Sequence, residues 1–537
     1  MKYLKLFKNK RETGFAIIFG FIFSLFNLLA KEMQDTLHIE FRQFMYILIN
    51  SALLTFVVAE LTIRSKHFML KVSQGRKDRD FEFSKGDVKY FLLTGVVIYV
   101  CWIPVWLAYY PGLFAYDVMT QLPQAIYGYN ETFPLLHTMY LNFFYYTLGG
   151  EVFHNYNTGI AYATEVQMVI FAFMLSYIHL FFRRCGVHKK LRMVLIGVTS
   201  LLPIFSVLAI SMTKDIFFAG FFCILFVCLC YWELNTQKAE KSIEINIMYF
   251  LSIVGTIMFR ANGIYAVAAL CVVVLLTMSK KSKRMILLTV FSLICSVMLL
   301  NVVKSELSAA DASKNDVLSI PYQQLAFVYN VDYEELTDQD KADIELILPR
   351  VSYYNPHNAD DVKFTGSASD HMDCFKDVYF RLLKKYPFQY VEAFVHTNLG
   401  YFYIFDCTNA NSIYGYGLEG RQGYLLTDTK AGFEVVHESK FKFLENIYEN
   451  LFSANEYQKI FPRFLVCSLA LYFWIMILMF FRMLELRNWR ILPSMILVAA
   501  LGATSLLAPC ALIRYIFPYM LCIPAMIYSV YHLTSDV

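Results

Sequence analysis

The sequence predicts an all-α polytopic membrane protein of about twelve transmembrane helices with one large extracytoplasmic segment of α or α+β character. Three observations predict it. Hydrophobic residues make up 58% of the 537 positions and aromatics 17%, with a mean hydropathy of +0.47, far above a soluble multidomain chain of this length. Apolar runs recur at the length a bilayer core of about 30 Å demands, about 20 helical residues at about 1.5 Å each. The basic residues fall in clusters between those runs, the pattern that orients membrane proteins. A net charge of +4 is small for the length, and the clustering excludes a nucleic-acid role.

Twelve runs qualify, near 14–30, 42–63, 89–109, 159–182, 191–211, 214–233, 245–259, 262–278, 285–303, 463–481, 490–508 and 511–532. The basic start MKYLKLFKNKR imitates a secretion signal, but KEMQD follows Ala30 where small residues for cleavage would stand, so the first run reads as a retained span. A thirteenth run, LLHTMYLNFFYYTL at 135–148, is too short to cross at about 21 Å and carries a polar stripe of Thr138, Asn142, Tyr145 and Gly149 at helical spacing. Charge decides its placement. With this helix lying on the outer surface, the N-terminus, the 64–88 loop, RRCGVHKK at 183–190, the 234–244 loop, KKSKR at 280–284 and RMLELRNWR at 482–490 all share one side, as the positive-inside rule requires. Both termini are then cytoplasmic. Residues 109–158, 213–215, 260–262, 304–462 and 509–514 share the outer face.

This organises the chain as an N-terminal transmembrane module, 1–303, holding the external loop 109–158; an external domain, 304–462; and C-terminal spans, 463–537. There is no internal repeat and no low-complexity linker. Of the 12 cysteines, all but Cys374 and Cys407 lie in or beside apolar runs and read as packing residues. A Cys374–Cys407 disulfide is compatible with an oxidising exterior. Glu165, two turns inside the fourth span, is expected to face protein or a cavity, since an ionised acid costs roughly 2.5–3.5 kcal/mol there.

Five polar clusters converge on the outer face. In YYPGLFAYDVMTQ, Pro111-Gly112 stops the preceding helix and delivers Asp117, with Gln121 one turn further on the same face. Asp117 and Glu131 are the only acids between Tyr109 and Thr138, and no lysine or arginine is present there, so Asp117 reads as an unpaired carboxylate beside the membrane. Lys214-Asp215 stands at the outer end of the sixth run, where a boundary charge pair is the plain alternative. Arg260 and Asn262 in FRANG break an apolar stretch, as a simple hairpin would. Arg514 and Tyr515 begin the last span, where a guanidinium snorkels or meets a lipid-borne phosphate. His137 and His154 lack a second metal ligand at usable spacing, so ordinary hydrogen bonding is favoured.

In order and spacing, YPGLFAYDVMTQ, FPLLHT, TKDIFF, FRANG, SIPYQQLAF and LIRYIFP resemble the membrane-embedded GT-C glycosyltransferases. They look most like an uncharacterised family of mainly Firmicutes membrane proteins related to protein O-mannosyltransferases and the lipid A aminoarabinose transferase. The resemblance implies a catalytic Asp in the first external loop, matching Asp117, a second external acid matching Asp215, and a polyprenyl-phosphate sugar as donor. The usual His-Pro pair of that loop stands here as Phe133-Pro134, with His137 the nearest histidine. Sugar transfer needs a base for the acceptor hydroxyl and cations on the departing phosphate. The expected catalytic residues are therefore Asp117, Asp215 and Lys214, with Asp215 orienting Lys214. Tyr116, Gln121, His137, Arg260, Asn262, Arg514 and Tyr515 are expected to bind substrate. A divalent metal, Mg or Mn, between Asp117 and Asp215 is an alternative source of positive charge. The acceptor would be an extracytoplasmic glycan, lipid or protein. A transporter, or a ligase or flippase for a cell-envelope precursor, is the competing class.

Overall fold

The computed structural model describes residues 9–73, 84–114, 117–312, 314–405, 434–452 and 468–532. Within them every expected apolar run is helical. Nine helices are long and apolar enough to cross a membrane: Lys10–Glu32, Phe41–Lys71, Lys85–Ala108, Tyr156–Arg184, Lys214–Leu234, Lys283–Glu306, Leu469–Leu486, Trp489–Leu506 and Ile513–His532. The fifth expected run is two helices, Lys189–Leu201 and Pro203–Ile210, bent by 49°. Pro203 explains the bend: it lacks an amide hydrogen and pushes Leu202 out of the helical region to ψ 121°. Ile243–Phe259 and Asn262–Met278 have 17 residues each and reach roughly 25 Å, short of a full core. The twelve expected spans are thus nine, or ten with the bent pair, plus two shorter apolar helices divided by Arg260, whose backbone is extended.

Helices Lys214–Leu234 and Ile513–His532 are buried along almost their whole length and form the centre of the main hydrophobic core. Helices Phe41–Ser73 and Lys283–Glu306 instead leave apolar side chains such as Leu53, Phe56, Leu287 and Phe291 exposed, as an outer ring facing hydrocarbon does. Glu165 accepts from the Tyr99 hydroxyl at 2.9 Å, so it faces protein as expected. The ten cysteines among the described residues are free thiols, mostly in apolar surroundings; Cys407 lies outside the described residues.

Polar contacts sort the helix ends into two sets. At one end Lys66 bonds Glu12 and Glu485, Arg183 bonds Asp87, Arg184 bonds Glu244, and Glu233 accepts from Ser494. At the other, Asn27 donates to the carbonyl of Phe402, Asn398 to that of Leu506, and Lys304 pairs with Glu131. The basic segments at 183–190, 234–244 and 482–490 therefore gather at the end of the stack where the first helix begins. Residues 109–158 gather at the opposite end. There the expected surface helix is Leu135–Asn142, continued by π-helical Phe143–Val152.

The segment expected as one external domain divides in two. Residues 314–397 build a second, all-helical hydrophobic core from Tyr322, Leu325, Val328, Ile344, Ile347, Val378 and Leu382. After it the chain rejoins the helix stack: Tyr401 stacks on Phe473, and the Phe402 carbonyl accepts from the Trp474 indole at 3.0 Å. Residues 434–440 then run along the end of helix Lys85–Ala108, with Glu438 and Lys440 amides bonded to the carbonyls of Tyr110 and Leu107.

A thiol reagent that cannot cross membranes should label a cysteine introduced at exposed Lys384 in intact cells and should not label one at exposed Lys189 until the cells are opened. The reverse pattern would invert the orientation.

Candidate functional site

The site is built by one short turn of chain. Helix Lys85–Ala108 ends before Pro111, and Gly112 follows at φ +155°, a value that favours glycine. A Cβ at Gly112 would lie 2.2 Å from Thr164 Oγ1, so the chain passes close over helix Tyr156–Arg184. Leu113–Phe114 (β1) then pairs in parallel with Ser211–Met212 (β2), Leu113 opposite Ser211 and Phe114 opposite Met212. Gln167, reaching up from helix Tyr156–Arg184, donates to the carbonyls of Ala209 and Ser211 at 2.8 Å each. This ladder brings Asp117, three residues past β1, to Lys214, two residues past β2.

Five charged side chains from four segments meet there. Lys214 Nζ lies 2.5 Å from Asp117 Oδ2, and Arg514 Nη1 lies 2.8 Å from the same oxygen. Arg514 Nε is 3.4 Å from Asp215 Oδ2, while Arg260 Nη1 is 2.8 Å from Asp215 Oδ1. Charges alternate along the chain Lys214, Asp117, Arg514, Asp215, Arg260. Asp215 is wholly buried and the arginines nearly so. Thr213 caps helix Lys214–Leu234 and its hydroxyl donates to Asp215 Oδ2 at 3.0 Å. That seats an acid in the first turn, where the helix dipole favours it. Arg260 lies 4.3 Å over the Tyr515 ring and 5.4 Å from Phe218, and Lys214 lies 4.7 Å over Phe133, so aromatic faces hold the cations as well.

Three expectations are corrected here. Asp117 is not an unpaired carboxylate: its partners come from distant segments, which inspection of its own loop could not reveal. Burial alone would raise its carboxyl, but Arg514 and Lys214 outweigh that and hold it well below the usual carboxylate range. Asp215 does not orient Lys214, which turns to Asp117; it orients Arg260 and Arg514. The paired acids also do not fit a Mg or Mn site. Hard cations take several oxygen ligands, whereas here the Arg514 guanidinium already bridges both carboxylates, and no cluster of three or more candidate metal ligands occurs among the described residues.

The other expected residues are dispersed around this chain of charges. Gln121 and His137 are fully buried beside it and bond each other, Gln121 Oε1 to His137 Nδ1 at 3.2 Å. Asn262 opens helix Asn262–Met278 and makes no side-chain hydrogen bond among the described residues. His154 is exposed and contacts the Gly150 carbonyl, a local bond as expected. Tyr116 lies outside the described residues. Glu131, the other acid of that loop, is held by Lys304 at 2.6 Å. Sequence reasoning missed Gln167, Thr213 and Phe133. A glutamine inside an apolar run was the available signal for the first, and a threonine directly before Lys-Asp for the second.

Residues 132–536 match a family of unknown function, DUF6020. The chain belongs to the DUF6020 family. No curated protein and no solved structure matches it. The DUF6020 match takes in His137, Lys214, Asp215, Arg260 and Arg514, while Asp117 and Gln121 stand before its first residue.

The pairing makes a pH prediction. The native carboxyl of Asp117 is depressed, so its contribution to stability is present above its unfolded value of about 3.9 and lost as pH falls through the lower native value. The gap in thermal midpoint between wild type and Asp117→Asn should stay constant from about pH 9 to about pH 5 and narrow only below about pH 4. A gap that closed near neutrality would contradict the pairing. Gly112→Ala should destabilise the purified chain on the order of 1–3 kcal/mol, read as a lower thermal midpoint.

Proposed function

We propose that this protein is a membrane glycosyltransferase that moves a sugar from a polyprenyl-phosphate donor to an extracytoplasmic glycan, lipid or protein. It works in a bacterial cytoplasmic membrane with both termini inside. One observation carries the reading: the side chains of Lys214, Arg260 and Arg514, from three separate segments, meet at the buried helix ends and are held there by Asp117 and Asp215. A phosphate diester entering beside them would meet cations already assembled. Two arginines and a lysine are suited to a phosphate in geometry as well as charge.

A second feature supports a lipid-borne phosphate. An apolar cavity of about 460 Å³ opens between helices Lys85–Ala108, Tyr156–Arg184, Lys214–Leu234 and Ile243–Phe259, lined by Phe173, Met174, Phe221, Ile224 and Met248 and reaching Glu244 toward the opposite end of the stack. Phe221 and Ile224 lie seven and ten residues after Lys214 on one helix, roughly 10 and 15 Å below it. A head group at the cations and a hydrocarbon chain in this cavity would lie along the same helix.

In the reaction the bond between the anomeric carbon and the phosphate oxygen breaks, and Lys214, Arg260 and Arg514 take up the charge that grows on that oxygen. Asp117 and Asp215 hold those cations in place until phosphate arrives. Asp117 was expected to act as the base; with two cations on it, its part in this proposal is to present them.

Transfer of a labelled sugar from a polyprenyl phosphate in membranes containing the chain tests this. Asp117→Asn should abolish transfer with expression intact. Arg514→Ala should weaken donor binding by 1.5–3 kcal/mol, roughly 10- to 150-fold, as loss of a charged hydrogen bond does. Near wild-type transfer by Asp117→Asn would overturn the proposal.

A further inference from the structure

The five charges of the cluster pair with one another, and beside them stands His137. Its ring is completely buried between Tyr140 and Phe217, and Nε2 has no hydrogen-bond partner among the described residues. The bonds around the ring assign its hydrogen to Nδ1. The Pro134 carbonyl, which also accepts from the His137 and Thr138 amides, takes the Thr138 hydroxyl hydrogen at 3.2 Å. That hydroxyl therefore accepts from the Gln121 amide nitrogen, at 2.9 Å. The Gln121 carbonyl oxygen is thereby turned to His137 Nδ1, and as an acceptor it requires a hydrogen on that nitrogen. Burial, helped by Lys214 and opposed by Asp117 and Asp215, holds the ring neutral, its proton affinity pushed down to about 3. In a neutral imidazole protonated at Nδ1, Nε2 carries the lone pair.

We propose that His137 Nε2, and not Asp117, receives the proton of the acceptor hydroxyl, with Gln121 and Thr138 as positioning residues that fix the tautomer. This rests on the transferase reading above. The hydroxyl hydrogen passes to Nε2 while the hydroxyl oxygen bonds to the anomeric carbon. The bond from that carbon to the phosphate oxygen breaks, its electron pair staying on the phosphate among Lys214, Arg260 and Arg514, and the imidazolium then returns its proton to water. The assignment takes the proton from Asp117 and leaves that carboxylate to hold Lys214 and Arg514. An acid clamped by two cations is a poor proton acceptor, whereas the Nε2 lone pair has no partner among the described residues. Arrival of the donor phosphate strengthens Nε2 as a base, because its negative charge offsets that of Lys214.

The test uses full-length protein in native-membrane vesicles with a labelled farnesyl-phosphate-linked hexose as probe. His137→Asn keeps an amide hydrogen for Gln121 and deletes the far nitrogen. It should lower kcat roughly 100-fold or more while leaving the donor KM within about a factor of two. Gln121→Glu places a carboxylate on Nδ1, favours the doubly protonated ring and should move the acidic limb of the kcat profile to higher pH, a change that loss of packing alone would not produce. Nitrogen NMR of labelled histidine, assigned by difference from His137→Asn, should show the Nδ1-protonated tautomer. Wild-type turnover that survives His137→Asn, an unmoved pH limb in Gln121→Glu, or an Nε2-protonated ring would each overturn this inference alone. A wild-type chain that neither binds nor turns over the probe would overturn the transferase reading beneath it.

Discussion

The guanidinium of Arg514, set between the carboxylates of Asp117 and Asp215, is the contact on which the outer end of this protein depends. It joins the start of the last helix to the loop after helix Lys85–Ala108 and the start of the central helix Lys214–Leu234, which the β1–β2 ladder already sets side by side. Taking ions out of water costs several kcal/mol each, and close pairing returns that cost only when partners are well placed. Arg514 has a planar fork that serves two acids at once, which a lysine could not do. Removing any one member of the alternating chain strands a neighbour in a buried place. Lys214 and Arg260, at the two ends of the chain, each meet one carboxylate among the described residues.

The general form of the fold was legible because its signals are local. Helical apolar runs are written in consecutive residues, and Pro203 and Arg260 mark breaks that composition alone does not place. Basic loops predicted which helix ends would gather, and the contacts of Lys66, Arg183 and Arg184 at one end with those of Asn27 and Asn398 at the other follow that grouping. The runs 245–259 and 262–278 were already short in the sequence; what composition did not show is that the extended backbone at Arg260 between them presents its side chain to Asp215.

The site was legible in membership and illegible in wiring. Asp117, Lys214, Asp215, Arg260 and Arg514 could each be named from charge beside an apolar run, since such groups are costly without a purpose. Their pairings are long-range facts. Asp117 takes its cations from residues far along the chain, so a search of its own loop misread it as solitary. Adjacency in sequence likewise misled at Lys214 and Asp215: successive residues at a helix start point in different directions, and the two side chains serve different partners. The roles of Gln121 and Thr138 were hidden for a related reason, because hydrogen-bond polarity emerges only when both ends of each bond are known.

The two-residue ladder of β1 and β2 has a consequence for how such a chain can vary. In an extended pair, a shift of one residue turns every side chain to the opposite face, and this ladder is too short to absorb the error by repairing further along. The number of residues between Phe114 and Asp117, and between Met212 and Lys214, therefore acts as a ruler. A single insertion or deletion in either stretch would carry the carboxylate away from its cations. The two stretches are consequently constrained in length, the reverse of what surface loops usually permit.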